Sequence, residues 1–474
     1  MSNSSDARLV EILPSPRQLA FQELEFYAFV HFTVNTFTGR EWGDGTESES
    51  IFNPELMDAN QWVQAIKSAG MRGLILTCKH HDGFCLWPSR YTEHSVKNSP
   101  YKGGQGDIVR EVADACASAG LRFGVYLSPW DRNSALYGQG KAYDDYFVAQ
   151  LTELLTQYGP VFSVWFDGAC GEGPNGKCQY YDWERYYAVI RELQPDACIN
   201  VCGPDVRWCG NEAGHTRVSE WSVVPARMRN TEKIASASQQ SDDESFRQRP
   251  IKAADQDLGS REVLRDEQRL IWYPAEVNTS IRPGWFYHAS EDGAVKPLDE
   301  LMRVYLGSVG GNATFLLNIP PMPSGLLHEN DVARLREMGE TLTDWFRVNL
   351  LDRPDAQLSA SPCQPGFSID LARRDGYDGC YKTPDGSSCA TIEARWAEPV
   401  HMRHLVLKED LRYSQRIERF TVELLSGGTW SCACEGTVVG HKRIVPLDAT
   451  AEALRVRILD SRISPTLAFI GVYA

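Results

Sequence analysis

The chain has 474 residues, 42% of them hydrophobic and 23% charged, which is a globular balance long enough for a large core and, at ordinary domain sizes, for two domains. A formal net charge of -15 argues against a nucleic-acid partner, because phosphate binding needs a basic surface, and favours a soluble protein with a neutral ligand. No apolar run is long enough to span a bilayer, so no membrane partner is expected. The opening "MSNSSDARLVEILPSPRQLAF" lacks a basic start followed by an apolar core, so the chain as given reads as cytoplasmic, or as secreted if it was trimmed.

Short apolar runs then alternate with longer amphipathic ones. "YAFVHF" (Tyr27 to Phe32), "RGLILTCKHH" (Arg72 to His81), "LRFGVYLS" (Leu121 to Ser128), "VFSVWFD" (Val161 to Asp167) and "ACINV" (Ala197 to Val201) read as strands, each too short for a core helix. Helices separate them. One has Asp58 as N-cap with Gln61 three residues on, an apolar stripe of Trp62, Ile66 and Ala69, and Gly70 as its stop. A second repeats the design with Asp107, then Ile108, Val112 and Ala115, then Gly120; a third puts Phe147, Leu151, Leu154 and Tyr158 on one face before Gly159. Further strands are expected at "RVSEW" (Arg217 to Trp221), within Ala275 to His288, and at "ATFLLNI" (Ala313 to Ile319).

Strands apolar on both faces and separated by helices specify a parallel sheet covered outside by helices, and about eight of them close a (β/α)8-like barrel. No glycine-rich phosphate loop follows the first strand, where "VHFTVNTFTG" stands, so a dinucleotide fold loses ground. After a last helix from Glu329 to Phe346 the pattern changes to strand-like alternation with turn signals, giving a C-terminal β-sandwich. The expected division is a catalytic barrel over 1–348 and a sandwich over 349–474. Thirteen cysteines, an odd number scattered through strands and helices (Cys78, Cys116, Cys198) without paired zinc-type spacing, read as mostly reduced and structural.

Functional groups of such barrels lie at the C-terminal ends of the strands. Those ends carry His31, then Lys79, His80, His81 and Asp82, then Tyr126 and Ser128, then Trp165 and Asp167. Singly, each has a bland reading as core residue or helix cap; together at one rim they read as a site. Three histidines and an aspartate suggest a metal, but strand one offers a single histidine, and His80 and His81 point to opposite sides if the strand runs through them, so no metal site is assigned. Imidazoles that donate and accept, indoles and phenols that cover C–H surfaces, and carboxylates for chemistry describe a sugar site, with Asp167 as a nucleophile on a rigid strand end. Glu172, Glu184, Glu212 and Glu220 are candidates for the second carboxylate. Glu212, in "RWCGNEAGHT" after the fifth strand, leads on spacing, with Glu220 next.

The segments "VHFTVNTFTGREWGDGTES", "LTCKHHDGFCLWPSRYTEHSV", "GVYLSPWDR", "VWFDGACGEGPNG", "GPDVRWCGNEAG", "PAEVNTSIRPGWFYH" and "TFLLNIPPMPSGLL" resemble the α-L-fucosidases of glycoside hydrolase family 29 over roughly Phe26 to Asp344. The resemblance implies a retaining enzyme on a (β/α)8-like barrel followed by a galactose-binding-like sandwich, with Asp167 as nucleophile and no cofactor. It places His31, Glu41, Trp42, His80, His81, Tyr126, Trp165 and Trp285 where the family binds fucose. "RWCGNEAG" resembles the branch acting on α1,3- and α1,4-linked fucose of Lewis-type glycans (subfamily B), in which the position of Glu212 carries the general acid/base; Cys209 after Trp208 is a small departure. The expected partner is thus a fucosylated oligosaccharide or glycoconjugate. A catalytically silent fucose-binding barrel and a metal-dependent barrel hydrolase are the alternatives.

Overall fold

The computed structural model describes residues 4–231, 234 and 241–474. Phe26–Val30 (β1), Gly73–Lys79 (β2), Arg122–Leu127 (β3), Val161–Phe166 (β4), Cys198–Val201 (β5), Arg207–Trp208 (β6), Ala275–Ser280 (β7) and Ala313–Asn318 (β8) form one parallel sheet in the order β5-β4-β3-β2-β1-β8-β7-β6. A parallel bridge between Asn200 and Val206 joins its two edges, so the sheet is a nearly closed barrel, as the alternation of strands and helices predicts.

Helices Ala59–Ser68 (α1), Ile108–Ala119 (α2), Lys141–Gln157 (α3), Trp183–Leu193 (α4), Leu298–Ser308 (α5) and Glu329–Trp345 (α6) accompany the strands. Asp58 and Asp107 cap α1 and α2 by accepting backbone N–H groups of the first turn, and α2 ends at Gly120, whose φ of 74° is open to glycine without strain. Gln61 does not close a capping box. Its amide exchanges hydrogen bonds with the backbone N–H and carbonyl of Leu327, 3.0 and 3.1 Å away, and so ties α1 to the chain entering α6. Higher up, α6 crosses α1 so closely that a β-carbon on Gly339 would overlap the Ser68 carbonyl.

The barrel departs from regular β/α alternation after β5. No helix separates β5 from β6; a tight turn does, in which Val201 takes a φ of 65° and Asp205 accepts the Ile199 N–H at 2.8 Å. The sixth strand is Arg207–Trp208, not the expected Arg217 to Trp221, which forms no strand. There the burial is the inverse of what an apolar run would give: Val218 is 74% exposed, while Arg217 and Glu220 are buried in an ion cluster with Arg207. The connection 209–274 carries short helices and the antiparallel pair Val223–Pro225 with Leu270–Trp272. Within Ala275 to His288, only Ala275–Ser280 is strand. Among the described residues no helix is long and apolar enough to cross a membrane.

Beyond α6 the chain is antiparallel β. Gln357–Ala360 (β9), Ala390–Lys408 (β10), Ile417–Ser426 (β11), Thr429–Gly436 (β12), Arg443–Ser461 (β13) and Phe469–Tyr473 (β14) pair in the order β9-β10-β13-β11-β12, with β14 on β10. The β10–β13 ladder breaks register between Arg395 and Val400 and again between Met402 and His404. Before the breaks β10 borders β9 and after them β14, so two stretches of sheet enclose a separate core containing Ile392, Met402, Leu405, Val422, Val456 and Ile470. Against the barrel, the Trp345 and Phe346 rings lie 4.6 and 5.7 Å from that of His404, and Phe346 meets Tyr473 edge-on.

Candidate active site

A cavity with about 650 Å³ of free space opens at the C-terminal rim of the barrel, and His31, Glu41, Trp42, His80, His81, Trp165, Asp167, Glu212 and Trp285 all line it. Tyr126 stands directly behind. Residues more than 250 positions apart in sequence thus meet because each follows or ends a barrel strand or the loop it feeds.

Asp167 comes immediately after β4. Its Oδ1 accepts the Ala169 N–H at 2.8 Å and its Oδ2 accepts the Tyr126 hydroxyl at 2.9 Å. Burial pushes its carboxyl above the ordinary aspartate value, and these hydrogen bonds pull part of that shift back. With a quarter of its side chain still exposed to the cavity, it is the one acid at this strand end free to meet a ligand. The charge that ends an otherwise apolar strand is therefore held by donors from two neighbouring segments.

The three imidazoles are neutral, since burial lowers His31 to about 4 and His81 to about 3, and drives His80 well down. Their hydrogen bonds fix what they present. Asn318 Nδ2 donates to Ser280 Oγ and to the Trp285 carbonyl, so its Oδ1 accepts from His31 Nδ1 at 2.8 Å and leaves His31 Nε2 as an acceptor. Ser128 Oγ gives its proton to the Trp130 carbonyl, so it accepts from His81 Nδ1 at 2.7 Å; His81 Nε2, 3.8 Å from Asp167 Oδ2, is again an acceptor. Both are built to take hydrogen bonds from hydroxyls. Trp42 packs edge-on against His81 and Trp130, and Trp165 stacks on Tyr126 with 5.4 Å between ring centres. Among the described residues no group of three or more His, Cys, Asp and Glu side chains is disposed to hold a metal ion.

Glu41 acts as a clamp: its carboxylate accepts the N–H groups of Trp285 and Phe286 and the Nε2 of His288, at 2.7, 3.2 and 2.7 Å. Trp285, so placed, donates its indole N–H to Glu212 Oε2 at 2.8 Å. Glu212 lies four residues past β6, not in a loop after the fifth strand, and its backbone N–H is held by the Arg247 carbonyl. Burial, aided by the nearby Asp167 charge, raises its carboxyl to about 7. The other candidate acids lie elsewhere. Glu220 is fully buried away from the cavity; despite that burial, Arg207 and Arg217 hold its carboxyl below the ordinary value, so it is an ionic tie within the irregular connection. Glu184 sits exposed in the first turn of α4, and Glu172 is exposed, offering its backbone carbonyl to Trp130.

Sequence reasoning missed part of the wall. Trp208, Asp242, Phe246, Arg247 and Asn278 also line the cavity. Trp208 donates to Asn278 Oδ1 at 2.9 Å and stacks on Phe246, over which the Arg249 guanidinium lies at 4.1 Å. Asn278 was legible as a polar residue inside a buried strand; Asp242, Phe246 and Arg247 carried no pattern.

A raised carboxyl and a hydrogen-bonded carboxylate on one barrel rim, with neutral imidazoles and indoles around them, make a glycoside hydrolase site. The family model for alpha-L-fucosidase matches residues 21–349. The chain is 38% identical to Alpha-L-fucosidase 1 of Arabidopsis thaliana, over 97% of this chain and 87% of that protein. It superposes on a Ruminococcus gnavus GH29 fucosidase in complex with fucose at a TM-score of 0.85 and 30% identity, covering 98% and 95% of the two chains. A glycoside hydrolase 29 family member from an unknown rumen bacterium gives a TM-score of 0.78 and 38% identity, over 98% of this chain and 77% of that one. The chain belongs to the alpha-L-fucosidase family, and its activity is that of a glycoside hydrolase.

Proposed function

We propose that the chain is a retaining α-L-fucosidase that removes α1,3- and α1,4-linked L-fucose from Lewis-type glycans by double displacement. The observation that carries the mechanism is the division of labour between two carboxyls. Asp167 is stabilised as the anion by two hydrogen-bond donors, and Glu212, raised to about 7, keeps a proton available near neutrality. In the first step an Asp167 oxygen bonds to the anomeric carbon as the glycosidic C–O bond breaks and the Glu212 proton passes to the leaving oxygen. In the second, Glu212 takes a proton from water, whose oxygen replaces Asp167 and returns it as carboxylate; two inversions give net retention.

The acceptor nitrogens of His31 and His81 suit sugar hydroxyls, and the Trp42, Trp165 and Trp285 faces suit C–H surfaces. The linkage preference rests on the loop after β6. It carries the acid, so the groups beside it (Trp208, Phe246 and Arg247) face the leaving sugar, where a second aromatic wall favours a branched aglycone over a short one. Fucose release from a Lewis trisaccharide, an α1,2-linked fucoside and an aryl fucoside, with NMR detection of the first-formed anomer, tests the proposal. Better turnover of the Lewis trisaccharide than of the α1,2 linkage, with α-L-fucose formed first, supports it; equal efficiency on both refutes the linkage preference, and β-L-fucose refutes double displacement.

A further inference from the structure

Glu276, the second residue of β7, sits in the middle of the barrel with no solvent exposure and, among the described residues, no cation paired with it. Its carboxyl meets Tyr27 Oη from β1 at 2.5 Å, Trp165 Nε1 from β4 at 2.7 Å and Asn200 Nδ2 from β5 at 2.8 Å. One side chain on the seventh strand therefore ties together three strands, none of them its neighbour in the sheet. A buried carboxyl is a costly way to fill a barrel interior unless its geometry is used.

We infer that Glu276 is a positioning residue for the fucose site, acting through Trp165 and Tyr126. The indole of Trp165 lines the cavity, packed between Tyr126 and Phe29, and the fixed acceptor for its N–H locks the plane of the ring in that slot. That plane stacks on Tyr126 at 24° between rings, and Tyr126 Oη donates to Asp167 Oδ2. The line Glu276, Trp165, Tyr126, Asp167 thus runs from the barrel centre to the rim through contacts each described above. Nothing in it brings Glu276 to the substrate.

Trp165 and Asn200 can only donate, and Tyr27 Oη lies 2.9 Å from Thr314 Oγ1. Tyr27 Oη and Asn200 Nδ2 both donate to Glu276 Oε2, and Trp165 Nε1 donates to Oε1, so the carboxyl accepts at both of its oxygens. Burial pushes the Glu276 carboxyl above the ordinary glutamate value, and these three hydrogen bonds pull part of that shift back. An amide in its place keeps the size and the acceptor for Trp165 but sets an N–H against Asn200 Nδ2, so the arrangement loosens without a cavity.

The inference rests on Asp167 being the nucleophile of the proposed mechanism, and the test separates the two. Glu276→Gln, which is isosteric, Trp165→Phe, which removes the indole N–H together with part of the ring, and the double variant are compared by kcat/KM on an aryl fucoside, by the dissociation constant for L-fucose, and by the acid limb of the kcat/KM pH profile. Each single change should lower kcat/KM roughly tenfold and weaken fucose binding, and the double should be little worse than either, because both remove one linkage. The acid limb should move to higher pH in both, since a displaced Tyr126 no longer favours ionised Asp167. Losses that multiply in the double variant, or a Glu276→Gln enzyme with wild-type fucose affinity and an unmoved acid limb, would overturn the inference. Fucose affinity is read without turnover, so it stands whether or not Asp167 proves to be the nucleophile. If Asp167→Gly is as active as the parent, the mechanism fails separately.

Discussion

Tyr126 Oη donates to Asp167 Oδ2 at 2.9 Å from within the barrel wall, one strand away from the carboxylate that it serves. The hydroxyl is itself fully buried, and burial beside the Asp167 charge keeps it protonated far above its ordinary range. It is a permanent donor, so it stabilises the ionised form of Asp167 at every pH at which the protein is folded.

Tyr126→Phe should therefore raise the Asp167 pKa further and move the acid limb of kcat/KM to higher pH. Loss of a hydrogen bond to a charged group should also cost roughly tenfold in kcat/KM. The reverse holds for stability. Asp167 is already raised on folding, so it favours the fold most below its unfolded value, and that contribution is lost as pH rises through the folded one. Asp167→Asn should accordingly raise the melting temperature at neutral pH by an amount equivalent to about 1 kcal/mol, while abolishing turnover. Calorimetry at pH 4 and pH 7 checks the sign: the gain should be larger at pH 7.

Asp167→Gly should be inactive yet folded, because the residue ends at a cavity and not in core packing. Azide should partly restore activity on an activated fucoside by entering from the face that Asp167 vacates, giving fucosyl azide of inverted configuration. Retained product would remove Asp167 from the nucleophile role.

The parts of this site that could be read in the sequence are those carried by regular strands. His80, His81, Tyr126, Trp165 and Asp167 each stand at the end of an apolar run long enough to mark a strand, so their common rim followed from barrel topology alone. Glu41 and Trp285 sit in loops, and only the resemblance to a family pointed to them. Arg207–Trp208 was not legible, because two residues carry no alternation, and Arg217 to Trp221 imitated a strand through Val218 and Trp221 while an ion cluster dictated its path. Phe246 and Arg247 reach the cavity from an irregular connection whose course depends on tertiary contacts. Glu276 was visible as a charge within a strand, but its meaning depended on Tyr27, Trp165 and Asn200, which are distant in sequence.

The seam between barrel and sandwich should be sensitive to acid. Glu25, at a φ of 57° after the helix Pro16–Leu24, buries its carboxylate against Lys442 Nζ at 2.6 Å and His441 Nε2 at 3.1 Å. Burial opposes its charge, but Lys442, His441 and Lys408 together hold it well below the ordinary glutamate value. Its contribution is thus present above the unfolded value of about 4.3 and is lost as pH falls through the folded one. Glu25→Gln should destabilise the protein by about 3–5 kcal/mol at pH 7, because a buried partner is left unpaired, and by progressively less towards pH 3. Urea unfolding across that range measures it; a pH-independent loss would mean that shape, not charge, holds the seam.

Glu212 can be identified by the chemistry it performs. A general acid matters most when the leaving group is poor, because a departing alkoxide needs a proton in the transition state whereas an activated phenolate leaves almost unaided. Glu212→Ala should lower activity on a natural oligosaccharide roughly 10²–10⁴-fold. With an activated aryl fucoside the first step should be nearly spared, and the fucosyl-enzyme on Asp167 should accumulate because the same residue must activate water. Azide should then release fucosyl azide of retained configuration, opposite to the outcome for Asp167→Gly. The parent enzyme should lose kcat/KM as pH rises through about 7, where Glu212 gives up its proton, and this alkaline limb should disappear in Glu212→Ala. Trp285→Phe removes the indole N–H that favours the Glu212 anion, so the limb should move to higher pH in that variant. Equal losses on natural and activated substrates in Glu212→Ala, with no trapped intermediate and an intact alkaline limb, would place the acid on another residue.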